Sequence, residues 1–335
     1  MRIVICYPVT SQHLRQLLEA APGAEIVDAG QERIAEELLE ADIFIGHAKV
    51  PVDWDRIVRR GRLRWIQSSA AGLDHCLVPS VIESSILVSS ASGLFAPQVA
   101  EQTMALLLGL VRGLPTFFRQ QQSRTYVRQP TLDLRGRVVG IVGLGGNGRQ
   151  IARVLKPFGV RILATDYFPE CQPPEVESLW PADRLDELLP LVEVLILTVP
   201  LNRQTEGMID ARRLNLLPRG RAILINVARG PVVRETDLIA ALEDRHLQGV
   251  GLDVAEVEPL PEHSPLWQRE DVIITPHVGA QSGRRYDDAT RLAVANLKRY
   301  VSGESLYNLV DKRLGFPHPS AVWPETERLV WDLNH

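Results

Sequence analysis

The stretch Gly143-Leu144-Gly145-Gly146-Asn147-Gly148 restricts this chain more than any other feature of its sequence. Directly before it, Val138-Val139-Gly140-Ile141-Val142 reads as a buried strand; directly after it, Gln150-Ile151-Ala152-Arg153-Val154-Leu155 reads as a helix. In a G-x-G-x-x-G turn so placed, each glycine has a task. Gly143 permits the tight turn, Gly145 lets backbone approach a pyrophosphate, and Gly148 lets the helix pack against the strand. Gly146 and Asn147 complete the loop, and the helix start offers free N–H groups and a positive dipole end to phosphate. Asp166 closes the next strand, near the ~20-residue spacing at which an acidic residue accepts from the adenosine ribose hydroxyls. It also repels a 2′-phosphate, and no arginine follows in Asp166-Tyr167-Phe168-Pro169, so NAD is expected rather than NADP.

The loop lies within a longer alternation of short apolar runs and helical patterns, which predicts α/β layering around parallel sheets. Arg137–Val142, Arg161–Thr165, Val194–Val199, Ala222–Val227, Gly249–Val254 and Val272–Thr275 are six strand candidates suited to a dinucleotide-binding sheet. Helical stretches follow at Arg149–Phe158, Asp183–Leu189, Ala211–Leu216 and Glu235–Glu243, and long ones flank the series at Ala96–Gln122 and Arg284–Val301. Earlier strands are read at Ile3–Tyr7, Glu25–Val27, Asp42–Gly46, Arg64–Gln67 and Ile86–Ser89, with helices at Ser11–Ala20, Gln31–Glu40 and Asp53–Arg60. The expected architecture is therefore two doubly wound parallel-sheet domains. A Rossmann domain over residues 99–284 is inserted into a smaller, flavodoxin-like substrate domain built from 1–98 and 285–335, with crossings near Pro97 and Ser282 forming a hinge over a cleft. The tail from Gly315 to His335, with Pro317, Pro319 and Pro324, reads as an extended arm.

Composition narrows the function. A chain of 335 residues with 45% hydrophobic and 23% charged residues is ordinary soluble globular material. A formal net charge of −4 gives no electrostatic reason to expect a nucleic-acid or membrane partner. Its longest apolar stretch, Met104 to Val111, is far short of the roughly 20 residues of a membrane helix. The start Met1-Arg2-Ile3-Val4-Ile5-Cys6 lacks a secretory pattern and reads as a first strand. Cys6, Cys76 and Cys171 show neither metal nor redox spacing, so reduced thiols in a cytoplasmic protein are expected and no metal is. Roughly 140 residues precede the glycine loop, unlike the lactate and malate type, and none of the six tyrosines begins a Tyr-x-x-x-Lys pair.

Three candidates for chemistry follow strands of the second series: Arg229 after Ala222–Val227, Glu258 after Gly249–Val254, and His277 after Val272–Thr275. The carboxyl ends of strands in an open parallel sheet line the ligand crevice, so residues distant in sequence can meet there. An imidazole changes charge near neutrality and suits proton transfer to a hydroxyl or carbonyl oxygen; a carboxylate touching its ring favours the imidazolium. A guanidinium can grip a carboxylate with two parallel bonds, a geometry lysine cannot copy. Any one of the three alone would read as a loop or surface residue.

Taken together the motifs resemble those of the D-isomer-specific 2-hydroxyacid dehydrogenases. The resemblance rests on Leu134–Gly145, Asn226-Val227-Ala228-Arg229-Gly230, Gly251-Leu252-Asp253-Val254-Ala255-Glu256-Val257-Glu258-Pro259 and Thr275-Pro276-His277-Val278-Gly279-Ala280, and runs from about residue 40 to 310. It implies NAD-dependent interconversion of a small D-2-hydroxy acid and its 2-oxo acid. Arg229 is then the substrate binder, His277 the acid/base and Glu258 its partner. Asp253 is placed near the nicotinamide, with Val199, Pro200, Val227, Ala228, Arg229, His277, Gly279 and Ala280 contacting the cofactor. Ser69-Ala70-Ala71-Gly72 resembles the loop whose backbone N–H groups hold the substrate carboxylate, an anion nest of small residues. Family members are typically homodimers through the second domain, with Glu101 to Arg128 contributing. Asn147 stands where the family usually has an apolar residue, and the tail beyond about Arg313 is longer than the common core requires.

Another class remains open, a non-catalytic NAD-binding regulator of the corepressor kind on the same fold. Formate dehydrogenase fits less well, since its histidine pairs with glutamine where Glu258 is a carboxylate. The substrate side chain is not encoded legibly; Lys49, or an arginine near Arg62 and Arg64, could recognise a distal anion, but surface placement is the expected reading for them.

Overall fold

The computed structural model describes residues 1–324, and the chain separates into two compact units, Ala96–Gln281 and Met1–Phe95 together with the segment from Ser282 on. The first unit runs β1 (Arg2–Ile5), α1 (Ser11–Ala20), β2 (Glu25–Asp28), α2 (Ile34–Glu37), β3 (Ile43–Gly46), α3 (Trp54–Arg60), β4 (Trp65–Ser68), α4 (Pro79–Glu83) and β5 (Leu87–Ser89). Its strands are all parallel in the order β2-β1-β3-β4-β5, the flavodoxin-like arrangement. Every residue of β3 and β4 is buried, so β3 reads Ile-Phe-Ile-Gly without alternation, while in β4 the buried Gln67 side chain accepts from the Ser89 hydroxyl and from Asn296. Ile3, Ile5, Ile43 and Ile45 pack on one face with Leu17 of α1, while Val4, Phe44 and Ile66 pack on the other with Ile57 of α3. Helix starts are fixed locally: Thr10 caps α1 in a reciprocal box with His13, and the Asp53 carboxylate accepts the Arg56 N–H of α3.

The second unit opens with α5 (Ala96–Val111) and α6 (Leu114–Gln122). The sheet then follows as β6 (Val138–Val142), α7 (Gly146–Leu155), β7 (Arg161–Asp166), β8 (Ser178–Pro181), α8 (Leu185–Leu188), β9 (Val194–Leu197), α9 (Ala211–Leu214), β10 (Ala222–Asn226), α10 (Glu235–Glu243), β11 (Leu247–Leu252) and β12 (Val272–Ile274). The strands are parallel in the order β12-β11-β10-β9-β6-β7-β8, so the order reverses between β6 and β9. Ile141, Ile162, Ile196 and Ile225 face α5 and α7; Leu163, Leu195, Leu224 and Val250 face α8 to α10. Afterwards the chain returns to the first unit with α11 (Arg285–Val301), which packs beside α1, and a small hairpin of β13 (Val310–Asp311) and β14 (Phe316–Pro317).

Some elements differ from the sequence reading. The sheet has a seventh strand: β8 pairs with β7 at the edge, short, half-exposed and ended by Pro181. The stretch Ala96–Gln122 is two helices, because Gly113 adopts φ 67° and Pro115 follows it. Gln31–Glu40 shortens to α2 with a 3₁₀ turn after it, and α4 was not anticipated. Within the tail, Gly315–Pro324 packs onto the unit, since Trp323 is buried and its backbone N–H donates to the Asn308 side chain. The rest of the proposed arm, 325–335, lies outside the described residues.

Candidate active site

The carboxyl edge of the second sheet carries the glycine loop, Asp166 and all three candidate side chains, Arg229, Glu258 and His277, each at the end of a different strand. Following the strand order, His277 comes after β12, Asp253 and Glu258 after β11, Arg229 after β10, Val199 and Pro200 after β9, the glycine loop after β6, and Asp166 ends β7.

Each glycine of the loop has a measurable reason. Gly143 has φ 91°, and Val199 lies so close that an added Cβ would meet its Cγ1 at 2.9 Å. Gly148 has its Cα turned toward the Gly143 carbonyl, where a methyl group would collide, and Thr198 sits at 3.1 Å from that same position. The Thr198 hydroxyl donates to the Gly143 carbonyl and so ties the loop to the end of β9. Gly145 caps α7 and is different: nothing lies within 4 Å of where its Cβ would be. That open face, beside the first N–H groups of α7 from Gly146, Asn147 and Gly148, fits a pyrophosphate, whose approach a side chain at Gly145 would block. The Asp166 carboxylate accepts the backbone N–H of Leu144 through one oxygen and that of Phe168, at 2.8 Å, through the other. Each oxygen keeps a further acceptor site for a ribose hydroxyl. The residues present therefore fit a dinucleotide.

At the other end of the edge, Nδ1 of His277 and Oε2 of Glu258 are 2.8 Å apart, and Glu258 Oε1 accepts the Ala255 N–H at 3.2 Å. Both side chains are about two-fifths exposed, at 44% and 41%, so the other ring nitrogen has an open approach. Arg229 is carried by a turn that Asn226 shapes: Asn226 Oδ1 accepts the Ala228 N–H and its Nδ2 donates to the Arg229 carbonyl. The guanidinium itself donates to the Ala228 carbonyl at 2.8 Å. Gly230 presses this turn against the next one. A Cβ there would stand 2.5 Å from the Glu256 nitrogen and closer still to the Ala255 carbonyl. The turn bearing Arg229 and the turn bearing Glu258 are thus in backbone contact. The Glu258 turn is also held to the start of α10, where the Glu235 N–H donates to Glu256 Oε2 at 2.8 Å. Burial raises the Glu235 carboxyl above its ordinary range, and the neighbouring Glu256 charge adds to the effect.

Val227 and Ala228 are buried with their side chains in the core, so only their backbone can face a ligand. Asp253 is 3% exposed, and its carboxylate accepts the Thr275 hydroxyl and the Val278 and Gly279 N–H groups. Pro200 accepts from the Thr205 hydroxyl, and Ala280 packs against the face that holds α5. Ser69, Ala70, Ala71 and Gly72 belong to the first unit, directly after β4. Two of their amides are occupied, Ser69 by the Gly46 carbonyl and Ala70 by the Ser68 hydroxyl. Among the described residues, those of Ala71 and Gly72 donate to nothing, so the expected nest has two free N–H groups. Arg62 and Arg64 precede β4 and lie at its opposite end, with Arg62 bound to Glu40 and Asp42; this removes both as readers of a distal anion beside that loop. Sequence reasoning missed Thr198 and quoted Asn226 and Gly230 only as the ends of a motif, without the loop-shaping parts they play, although a polar residue ending an apolar strand marks Thr198 and Asn226.

The family model described as D-isomer specific 2-hydroxyacid dehydrogenase, NAD binding domain, matches residues 104–279. The chain belongs to this family. The dehydrogenase is 30% identical over 312 residues to a glyoxylate reductase of Thermococcus onnurineus, covering 90% of this chain and 92% of that one. It is 28% identical over 313 residues to the D-3-phosphoglycerate dehydrogenase of Methanocaldococcus jannaschii, but there the match takes in 93% of this chain and only 59% of the relative. Among solved structures, a D-isomer specific 2-hydroxyacid dehydrogenase of Xanthobacter autotrophicus in complex with NADPH and MES superposes with a TM-score of 0.78 at 30% identity, covering 94% of this chain and 99% of that one. The second unit of the dehydrogenase is thus a nicotinamide-dinucleotide-binding domain. No helix among the described residues is long and apolar enough to cross a membrane.

Proposed function

We propose that this dehydrogenase reduces a small 2-oxo acid to the D-2-hydroxy acid with NADH, and runs the reverse oxidation with NAD. The observation that carries the proposal is the 2.8 Å His277–Glu258 pair, standing open at the strand ends one turn from Arg229. A bound nicotinamide supplies or accepts the hydride. The protein's part is to hold and move the proton and the substrate. His277, oriented through Nδ1 by Glu258, gives its other ring proton to the carbonyl oxygen as it gains charge. Arg229 binds the carboxylate and polarises the same oxygen. The free amides of Ala71 and Gly72 are assigned to the substrate carboxylate, and Asp166 to the adenosine ribose, which favours NAD over NADP.

The glyoxylate reductase named among the relatives makes glyoxylate the first substrate to try. The protein is read as a cytoplasmic homodimer. Support comes from free cysteines, two of them buried, and from Leu114, Phe118, Tyr126 and Val127, which leave apolar surface exposed on and after α6. A panel of 2-oxo acids with NADH and NADPH, following loss of reduced-cofactor absorbance, tests the activity. His277→Asn should abolish turnover and leave NADH binding intact, whereas Arg229→Ala should also weaken substrate binding sharply. Near-normal rates for His277→Asn across pH would remove His277 as the proton carrier. NADH binding with no turnover of any 2-oxo acid would favour a regulator.

A further inference from the structure

His277 is held in an unusual way. Its backbone has φ 54°, in the left-handed region that residues with a side chain occupy only when their surroundings enforce it. The ring direction follows from that backbone, so whatever enforces it also aims the imidazole. Its N–H is shared between the carbonyls of Asp253, at 2.7 Å, and Thr275, at 3.0 Å. The next two N–H groups, of Val278 and Gly279, end on the Asp253 carboxylate at 3.0 and 2.8 Å. Gly279 must be glycine for this, because a Cβ would approach Asp253 Oδ2 to 2.8 Å. The third donor to the buried carboxylate is the Thr275 hydroxyl, at 2.6 Å. A hydroxyl has one proton, and here Asp253 takes it; the hydroxyl oxygen accepts in turn from Gln102 Nε2 of α5 at 2.8 Å. Donation therefore runs from the Gln102 amide to the Thr275 hydroxyl to the Asp253 carboxylate, which also accepts from the two N–H groups that follow His277.

We propose that Thr275 and Gln102 are positioning residues for His277, acting through the buried Asp253 carboxylate to hold the left-handed turn that aims its imidazole. This rests on the reading of His277 as the proton carrier. Thr275→Val keeps the shape of the side chain, removes one of three donors from a buried charge and leaves Gln102 without its acceptor. The His277 turn then loosens while the glycine loop, four strands away across the sheet, stays as it is.

The experiment compares Thr275→Val, Thr275→Ser, His277→Asn and the Thr275→Val/His277→Asn double variant in the intact protein. Readouts are kcat and KM for the best 2-oxo acid, the dissociation constant for NADH, and the NMR signal of the ¹³C-labelled His277 ring. Thr275→Val should lose kcat by about 10- to 100-fold, the scale of a sub-ångström to ångström misplacement, with NADH affinity falling far less than kcat. Its ring signal should shift or broaden without any ligand, and Thr275→Ser should restore both. In the His277→Asn background the valine should cost nothing more, because its effect passes through the imidazole. Wild-type kcat and an unmoved ring signal in Thr275→Val, with His277→Asn inactive, would overturn the positioning role and leave the proton carrier standing. An active His277→Asn would instead sink the proton carrier and this proposal with it. If Thr275→Val does not fold, Gln102→Leu carries the same readouts, with a smaller loss in the same direction expected and none refuting.

Discussion

Gly230→Ala tests the proposed site at its tightest seam. The methyl group would stand 2.5 Å from the Glu256 nitrogen, whereas ordinary contact begins near 3.4 Å, and the Ala255 carbonyl is nearer still. Since the obstacle is backbone, the two turns must part by about 1 Å or more, a strain of the overpacking kind worth about 1–3 kcal/mol. One side of the seam carries Arg229; the other carries Ala255, whose N–H holds Glu258 Oε1 and so helps to set the carboxylate against His277. Whichever side yields, guanidinium and imidazole lose their relative placement. A misplacement of about 1 Å costs on the order of 100-fold in rate, equivalent to about 2.7 kcal/mol of barrier. The expected result is a fall of about 100-fold in kcat/KM for the 2-oxo acid and a melting temperature lower by roughly 2–12 °C. NADH affinity should fall far less, since the glycine loop follows β6, two strands away from β10. Steady-state NADH oxidation, a fluorescence titration with NADH and a circular-dichroism melt measure the three. A Gly230→Ala protein with kcat/KM within twofold of the parent would refute the idea that this seam sets the catalytic geometry.

Gly145→Ala should do the converse: the added methyl meets nothing within 4 Å, so melting should hardly change, while the NADH dissociation constant rises at least about tenfold because the pyrophosphate loses its approach. Asp166→Ala should narrow the preference for NADH over NADPH by about tenfold, about 1.4 kcal/mol, in the ratio of their kcat/KM values; an unchanged ratio would take Asp166 out of that role. Burial pushes the Cys6 thiol from 9.0 up to about 12, so the native state keeps a proton that the unfolded chain releases. Stability should therefore be insensitive to this group below pH 9 and decline as pH rises from there toward about 12, a trend that Cys6→Ala should flatten in thermal melts. At about pH 8, alkylation of the folded protein should stop at Cys171, with the buried Cys6 and Cys76 reacting only on unfolding.

The readable parts of this chain were those where local pattern and tertiary role coincide. Strands such as Ala222–Asn226 are buried on both faces and so appear as unbroken apolar runs; Arg229, Glu258 and His277 could be singled out because they follow such runs. β8 hid because Ser178-Leu179-Trp180-Pro181 is a half-exposed edge strand, with neither alternation nor length to mark it. The break after α5 did have a signal in Gly113 and Pro115, outweighed by the apolar run before it. Asp253 is expected near the nicotinamide on resemblance alone; that its carboxylate accepts from Thr275, Val278 and Gly279 could not be read from the sequence. Nothing in the sequence joins Gln102 to Thr275, since that bond exists only once a helix is laid against the end of a distant strand. Likewise, which amides of Ser69–Gly72 are free depends on Gly46 in the neighbouring strand, not on the loop's own composition.

The strand order along the second sheet separates two properties that are often traded against each other. Asp166 ends β7, and the His277 turn follows β12, five strands over, a distance of roughly 24 Å at the ordinary spacing between strands. With the roles proposed above, substitutions at Asp166 that retune which dinucleotide is accepted are made far from His277 and Arg229. On that assignment an engineer could exchange one coenzyme for the other here without renegotiating the reaction.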